Sequence, residues 1–108
     1  MNFDVLTISA FDKQLKRLSR KYASLKTEYA ALLDALEENP VQGISLGNNC
    51  YKIRLAITSK RKGKSGGARI ITHIIIKKKT VYLLSIFDKS ETESLTTKQI
   101  NDLLQLLP

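Results

Sequence analysis

The chain has 108 residues, of which 43% are hydrophobic and 26% are charged, and its formal net charge is +8. This size suits one domain with one modest core, and the composition is too apolar for disorder and offers no run that could span a membrane. One cysteine excludes an internal disulfide, and one cysteine with one histidine leaves too few ligands for a metal site. We therefore expect a single domain over residues 1–108, without signal peptide, metal or cofactor, in the cytoplasm.

The positive charge is concentrated in one part of the chain. Residues 39–87 contain ten Lys and Arg residues and no Asp or Glu, so the remainder sums to a slightly negative charge. Clustered basic residues and a pI near 9.8 indicate a polyanionic partner, such as nucleic acid, the ribosome or an acidic protein.

A short strand and a first helix are predicted at the start of the chain. The alternation over Phe3–Ile8 predicts the strand, and Ser9-Ala10-Phe11-Asp12 resembles a capping box with Ser9 as the N-cap. The helix that follows has an apolar stripe of Phe11, Leu15, Leu18 and Tyr22. Its other face is basic and is interpreted as a solvated surface or, alternatively, as an accessory phosphate-contacting surface: Lys13, Lys16, Arg17, Arg20 and Lys21.

A second helix is predicted from a cap at Ser24 to about Glu38, where Asn39-Pro40 stops it. Two helices with so short a connection form an antiparallel hairpin, and each has only one apolar face. We therefore expect the pair to cover a sheet built by the residues downstream.

Three strands are predicted after a connecting segment, Val41–Asn49. In the first, Ile53, Leu55 and Ile57 alternate with Lys52 and Arg54, so the apolar set should lie under the helices and the basic pair should point away. The strand Ile70–Ile76 is apolar on both faces, which is typical of a central strand. Lys77-Lys78-Lys79-Thr80 is predicted to be a hairpin turn before the last strand, Val81–Phe87.

The tail predicts a short C-terminal helix. Thr96-Thr97-Lys98-Gln99 is a capping-box pattern, followed at helical spacing by the apolar residues Ile100, Leu103, Leu104 and Leu107. The predicted fold class is α+β: an N-terminal strand and a helical hairpin packed on a small, mainly antiparallel sheet, with a C-terminal helix.

Neither the tripeptide Gly63-Lys64-Ser65 nor Cys50 is predicted to take part in chemistry. Gly63-Lys64-Ser65 lacks the glycine of a phosphate-binding loop, since position 58 is Thr58, and a strand follows it where that loop needs a helix. Cys50 is interpreted as a small semi-buried hydrophobe. His73 is interpreted as a packed residue among isoleucines, although its position on the same strand face as Arg69 leaves it a minor candidate.

Three stretches in order, Asn49–Leu55, Gly67–Ile71 and Val81–Ser85, resemble the RelE/ParE superfamily of bacterial toxins. The Lys/Gly/Ser loop that ends in Gly-Gly-Ala-Arg and the stretch Ile86–Glu91 are similar to its RelE/HigB-like branch. The resemblance implies a RelE-like fold and a type II toxin that inhibits translation as a ribosome-dependent, metal-independent mRNA endonuclease.

The resemblance also implies site residues. Lys52, Arg54, Arg69 and Lys89 match basic positions of the family and are the predicted catalytic residues. Contacts to RNA or the ribosome are expected from Lys60, Arg61, Lys62, Lys64, His73 and Phe87. A tyrosine that some RelE enzymes carry near the C-terminus has no match, because Leu95 stands about there.

Metal-free RNA cleavage needs a base for the 2′-OH, charge stabilisation at phosphorus and an acid for the 5′-oxygen. Lys52 is the hypothetical base, since the surrounding positive charges favour its neutral form. Arg54 and Arg69 suit phosphate contacts in the transition state, and Lys89 suits an acid or a phosphate ligand. The ribosomal A site would bend the mRNA into the in-line geometry.

Two other functions stay open for the same fold, because a fold alone does not define activity. One is a ParE-like toxin that poisons DNA gyrase without cutting RNA, and the other is a plain RNA- or ribosome-binding module. For a toxin, the expected partner is a cognate antitoxin, a separate chain whose acidic or amphipathic segment covers the basic face or displaces the C-terminal helix.

Overall fold

A computed structural model describes residues 2–60 and 66–108 and shows the predicted α+β fold. Within these two ranges, three helices and five strands follow each other in the order β1 Asp4–Thr7, α1 Ser9–Lys21, α2 Leu25–Glu38, β2 Ile44–Gly47, β3 Cys50–Leu55, β4 Ala68–Ile75, β5 Thr80–Asp88 and α3 Thr97–Leu104. Short 3-10 turns occupy Thr58–Lys60 and Ile76–Lys78. No helix within these two ranges is long and apolar enough to cross a membrane.

The strands form one sheet in the order β1-β5-β4-β3-β2. β1 is parallel to β5 and every other pair is antiparallel, which confirms the expected mainly antiparallel sheet. β4 lies between β5 and β3, so the strand that is apolar on both faces is indeed central. A register shift opposite Ile71 and Thr72 leaves one extra residue, Leu84, in β5.

The prediction that Val41–Asn49 is only a connection is wrong. Ile44–Gly47 pairs with β3 through a two-residue turn at Asn48 and Asn49, whose φ angles are 52° and 59°. Two positive φ angles define the turn type that matches the twist of a hairpin, and asparagine tolerates that conformation. Ile44 and Leu46 alternate with Ser45 and Gly47, but the strand has only four residues and all four are exposed, so burial does not support the pattern.

The helix ends agree with the predictions in part. The capping box at Thr96 and Gln99 is confirmed. Ser9 is not an N-cap: Ile8 keeps the extended backbone of β1, with φ −111°, and Ser9 is already helical. Ser24 does precede α2, but its hydroxyl donates to the Glu28 carboxylate at 3.0 Å and makes no capping bond.

The helices cover the sheet through the predicted apolar stripes. Phe11 and Leu18 of α1 and Leu36 of α2 are fully buried, and α1 packs on β5. α1 also covers the part of the β5 edge that β1 leaves open: the side-chain oxygen of Gln14 accepts the Ile86 N–H at 3.0 Å. An otherwise unpaired strand edge is thereby satisfied.

The three-lysine turn is confirmed, and its conformation explains why no Asn-Gly pair is needed. Ile76–Lys78 form a 3-10 turn, and Lys79 follows in the left-handed region with φ 48°. The turn places the three ammonium groups at one end of the β4–β5 hairpin, where all three lysines are exposed.

Candidate nucleic-acid interface

The four predicted catalytic residues lie around one depression of about 280 Å³. Two come from β3, one from the start of β4 and one from the residue after β5. Among the described residues, the lining is Ile44, Lys52, Arg54, Arg69, Lys89, Glu93 and Ser94. Four cations thus surround a space large enough for a phosphate with part of its sugar or base.

The register of the sheet brings the two arginines together. Arg54 and Arg69 are direct partners across β3 and β4. Side chains at such positions have Cβ atoms about 5 Å apart, and like charges directly opposite each other destabilise a sheet. The fold therefore holds two guanidinium groups where they repel each other, and a bound anion would relieve that repulsion.

Arg69 is the more constrained of the two. It is only 3% exposed, and its guanidinium donates to the Ala68 carbonyl at 3.0 Å. Burial, and then the neighbouring Arg54, lowers the pKa of Arg69. The fold therefore keeps this positive charge buried although burial removes part of its solvation by water. Such a fixed charge is the arrangement expected of an anion-binding group.

One backbone contact and one side-chain contact place the two lysines at the rim. The Lys89 N–H donates to the Gly67 carbonyl at 3.1 Å, which ties the segment after β5 to the residue before β4. Gly67 is required there, because a Cβ at this position would overlap the Leu55 carbonyl oxygen of β3. Lys52 reaches the other side of the depression, where its Nζ lies 3.5 Å from Ser94 Oγ.

Sequence reasoning missed Glu93 and Ser94, which also line the depression. Glu93 is the one carboxylate among the lining residues, and it is exposed. Leu95, at the position of the unmatched tyrosine, packs against the core. The polar run after Lys89 was the only available signal, and it is equally typical of a solvated loop.

Lys60 lies outside the depression and has another environment. Its side chain is 7% exposed, and its Nζ lies 2.6 Å from the carboxylate of Asp88, which is fully buried. Tyr22 and Ser90 donate to the same carboxylate at 2.5 Å and 2.8 Å. Burial by itself would raise the pKa of Asp88, but the hydrogen bonds from Lys60, Tyr22 and Ser90 outweigh it and hold that pKa well below its ordinary value.

A second set of hydrogen bonds fixes the two residues that precede Lys60. The Glu28 carboxylate accepts the Thr58 N–H at 2.6 Å, and Ser59 N–H donates to Ser24 Oγ at 3.0 Å. Thr58, Ser59 and Lys60 are therefore all tied to the body of the protein. The other predicted loop contacts, Arg61, Lys62 and Lys64, lie outside the described residues, as does the Gly63-Lys64-Ser65 motif.

His73 and Phe87 are placed differently from the four cations. Phe87 is the register partner of Arg69 but is only 7% exposed, so its ring is not available as a stacking platform. His73 lies about 13 Å along β4 from Arg69 at the usual rise per residue. Its Nδ1 is 3.5 Å from Cys50 Sγ, and burial lowers its pKa despite an opposing backbone hydrogen bond at Asn48.

The Cys50–His73 pair does not form an activated nucleophile. Burial raises the pKa of the Cys50 thiol while it lowers that of the imidazole, so both groups are neutral near pH 7. Among residues 2–60 and 66–108, no three His, Cys, Asp or Glu side chains cluster closely enough to hold a metal ion.

This element order and sheet topology define a RelE-like α+β fold. The isolated E. coli RelE toxin is 17% identical, with a TM-score of 0.60 over 97% of this chain and 99% of that one. The intact E. coli RelBE toxin–antitoxin complex gives 18% identity and a TM-score of 0.61, over 80% of this chain and 95% of that one. The RelBE2 toxin–antitoxin complex of Mycobacterium tuberculosis gives 14% identity and a TM-score of 0.59, over 82% of this chain and 92% of that one.

No protein-family model matches the chain. At these identities the likeness establishes the fold, and the arguments for activity rest on the residues around the depression. The expected RelE-like architecture is confirmed over nearly the whole chain.

Proposed function

We propose that this chain is the toxin of a type II toxin–antitoxin pair and that it inhibits translation by cutting mRNA in the ribosomal A site. The observation that carries the proposal is the depression in which Arg54 lies directly opposite Arg69, with Lys52 and Lys89 at its rim. Four cations around one small space match the charge that builds up on a phosphate during cleavage. The RelE-like fold supports the assignment to a toxin.

The proposed reaction is an in-line displacement by the neighbouring hydroxyl. The 2′-oxygen loses its proton and attacks phosphorus, and the bond from phosphorus to the 5′-oxygen breaks. The leaving oxygen takes up a proton, so the products carry a 2′,3′-cyclic phosphate and a 5′-hydroxyl. Every atom and electron pair is supplied by the RNA and by two protein groups that exchange protons.

Lys52 is the proposed proton acceptor, and Lys89 is the proposed donor to the 5′-oxygen. Arg54 and Arg69 are the proposed ligands of the non-bridging oxygens, because guanidinium groups can hold two oxygens at once. Glu93 shares the depression and is the alternative proton acceptor, since a carboxylate needs no deprotonation before it acts.

The ribosome has a specific task in this scheme. A site that consists mainly of cations binds phosphate well but does little to align the 2′-oxygen with the leaving oxygen. An external scaffold that bends the mRNA would supply that alignment, which is worth several orders of magnitude in rate. Dependence on the ribosome, and action in the cytoplasm, follow from this division of labour.

The proposed regulator is a cognate antitoxin. The solved RelBE complexes pair a toxin of the same fold with its antitoxin. For this chain we propose an acidic or amphipathic segment that covers the depression or displaces α3. Ser94 contacts Lys52 and directly precedes the linker to α3, so a shift of that helix would disturb the site.

The deciding experiment is cleavage of mRNA on programmed ribosomes by Lys52→Ala, Arg54→Ala and Arg69→Ala variants. Loss of a positioned acid–base or charge-stabilising group should lower the rate about 10²- to 10⁴-fold. Lys78→Ala, in the exposed turn, removes one charge elsewhere and should cut like the parent. If all three site variants cut normally, the depression is not the active site.

The two rival functions predict different results in expressing cells and in ribosome-binding assays. A gyrase poison would cause DNA damage signalling in expressing cells without mRNA cleavage. A binding module would associate with ribosomes but cause neither scission nor growth arrest. Growth arrest that is relieved by co-expression of the neighbouring gene's product would support the toxin–antitoxin assignment.

A further inference from the structure

A second cationic surface lies on the helical hairpin, away from the depression. Five exposed cations lie along α1, against a single acidic residue, Asp12: Lys13, Lys16, Arg17, Arg20 and Lys21. Each of them has another member three or four residues away, as in Lys13–Lys16–Arg20 and Arg17–Lys21, and this spacing places such pairs on one side of a helix. The apolar stripe of the same helix is buried on β5, so the basic side faces outward.

Between α1 and α2 this surface forms a groove of about 410 Å³, which we call the hairpin groove. Its lining is Asp12, Leu15, Lys16, Ser19, Arg20 and Lys26. Three cations from two helices thus surround an apolar side chain, Leu15, and a hydroxyl, Ser19. None of these residues lines the depression around Arg54 and Arg69, so the two surfaces are separate.

The internal structure of the protein explains few of these charges. Over residues 2–60 and 66–108, Arg17 is the one cation of α1 in an ion pair, with Glu91 at 3.1 Å. Arg20 and Lys21 complement the helix dipole in the last turn, but Lys13 and Lys16 precede that turn. Like charges at this spacing destabilise a helix, so their concentration points to an external anion.

We propose that the hairpin groove binds the phosphate backbone of a folded RNA, as a second contact beside the substrate RNA. From Lys13 to Arg20 the row extends about 10 Å at the helical rise, which is enough to follow successive phosphates of one strand. Arginine, lysine and hydroxyl groups are the usual phosphate ligands of proteins, and they need no sequence-specific base contact.

The identity of that RNA rests on the proposed function. A toxin that cuts mRNA on the ribosome is surrounded by ribosomal RNA, so ribosomal RNA is the expected ligand of the groove. The groove then supplies ribosome affinity, while the depression supplies the chemistry. The two roles separate in kinetics, because binding that is equal in the ground and transition states changes KM and leaves kcat unchanged.

The test uses the full chain with Lys16→Gln and Arg20→Gln combined, and Lys77→Gln with Lys78→Gln as a control that removes the same charge from the exposed turn. Cleavage is measured against ribosome concentration. The groove variant is expected to raise the KM for ribosomes about tenfold with kcat unchanged, and the control to stay within about twofold. Thermal melting verifies that both variants are folded.

A second measurement does not depend on cleavage. Affinity for purified small-subunit ribosomal RNA is measured over a range of salt concentrations, and the groove variant should lower the slope of log K against log salt by about 1.5 units. If the groove variant has the lower slope but the parent never cuts mRNA, the groove proposal is supported and the nuclease proposal fails. The groove proposal is overturned if the slope and the KM of the groove variant match those of the parent, or if the turn variant shifts both by the same amount. It is also overturned if the groove variant loses affinity only for the antitoxin.

Discussion

Replacement of Asp88 by Asn should destabilise the protein more than any substitution of a surface charge. The Asp88 carboxylate is fully buried, and its ion-pair partner Lys60 is 7% exposed. The Asp88→Asn variant would leave the ammonium of Lys60 buried without a counter-charge, and removal of one partner from a buried pair costs about 3–5 kcal/mol. A small domain has roughly 5–15 kcal/mol in total, so about a fifth or more of its stability is at stake.

Urea denaturation at pH 7 measures this loss. Tyr22→Phe removes one hydrogen bond to the same carboxylate and should cost about 1.5–3 kcal/mol, so it remains measurable if the Asp88→Asn variant does not fold. Asp102→Asn breaks the exposed pair with Lys98 and serves as the matched control, with little change expected. A loss below about 1 kcal/mol for Asp88→Asn would refute the argument from burial.

The pH dependence gives an independent check of the same group. The pKa of Asp88 is lower in the folded protein than in the unfolded chain, so its contribution is fully present above the ordinary carboxyl value of about 3.9. That contribution is lost as the pH falls from about 5 toward the folded pKa. The parent and the Asp88→Asn variant should therefore converge in stability as acid is added, and parallel curves would contradict the assignment.

Three further outcomes are expected. Gly43→Ala should destabilise the protein strongly and impair cleavage, because the new Cβ would overlap the β3 backbone. Gly47→Ala has a similar φ but open space around it, so it should cost only about 1–2 kcal/mol in thermal or urea unfolding. Glu93→Gln should slow cleavage by less than about tenfold if the lysine of β3 is the base; a hundredfold loss with recovery in Glu93→Asp would transfer that role. Arg54→Gln should abolish cleavage yet slightly stabilise the fold at low salt, because it relieves repulsion of Arg69, and equal or lower stability would contradict that reading.

The sequence was sufficient for the elements whose patterns reflect burial. The stripe of α1, the central position of β4 and the alternation that separates Ile53 from Arg54 all follow from which side chains avoid water. β2 was missed because it is a four-residue edge strand whose residues are all exposed, so its short alternation reflects no burial. Its turn also uses two asparagines in place of the more familiar Asn-Gly pair. Ser9 failed as a cap because a buried residue before it, Ile8, keeps the extended conformation.

The candidate site was predictable only where residues lie on regular strands. Arg54 and Arg69 could be placed on one face by alternation, and their register then makes them partners. Glu93 lies in an irregular segment, where no periodicity indicates direction. Its presence in the depression depends on how the chain turns after β5. Ser90 fixes that turn through local bonds to Asp88, and Asp88 is itself held by Tyr22 and Lys60, which are distant in sequence.

Lys60 and Arg54 show why a count of charges locates a functional surface poorly. Both belong to the basic stretch of residues 39–87, yet the charge of Lys60 is neutralised by the buried carboxylate of Asp88. Arg54 is exposed and faces another arginine, so its charge is available to an outside anion. Acidic residues outside the stretch decide which cations are structural, because Asp88 binds Lys60 and Glu28 holds Thr58 beside it. A basic residue is thus a strong candidate for RNA contact when the fold supplies it with a like charge as its neighbour.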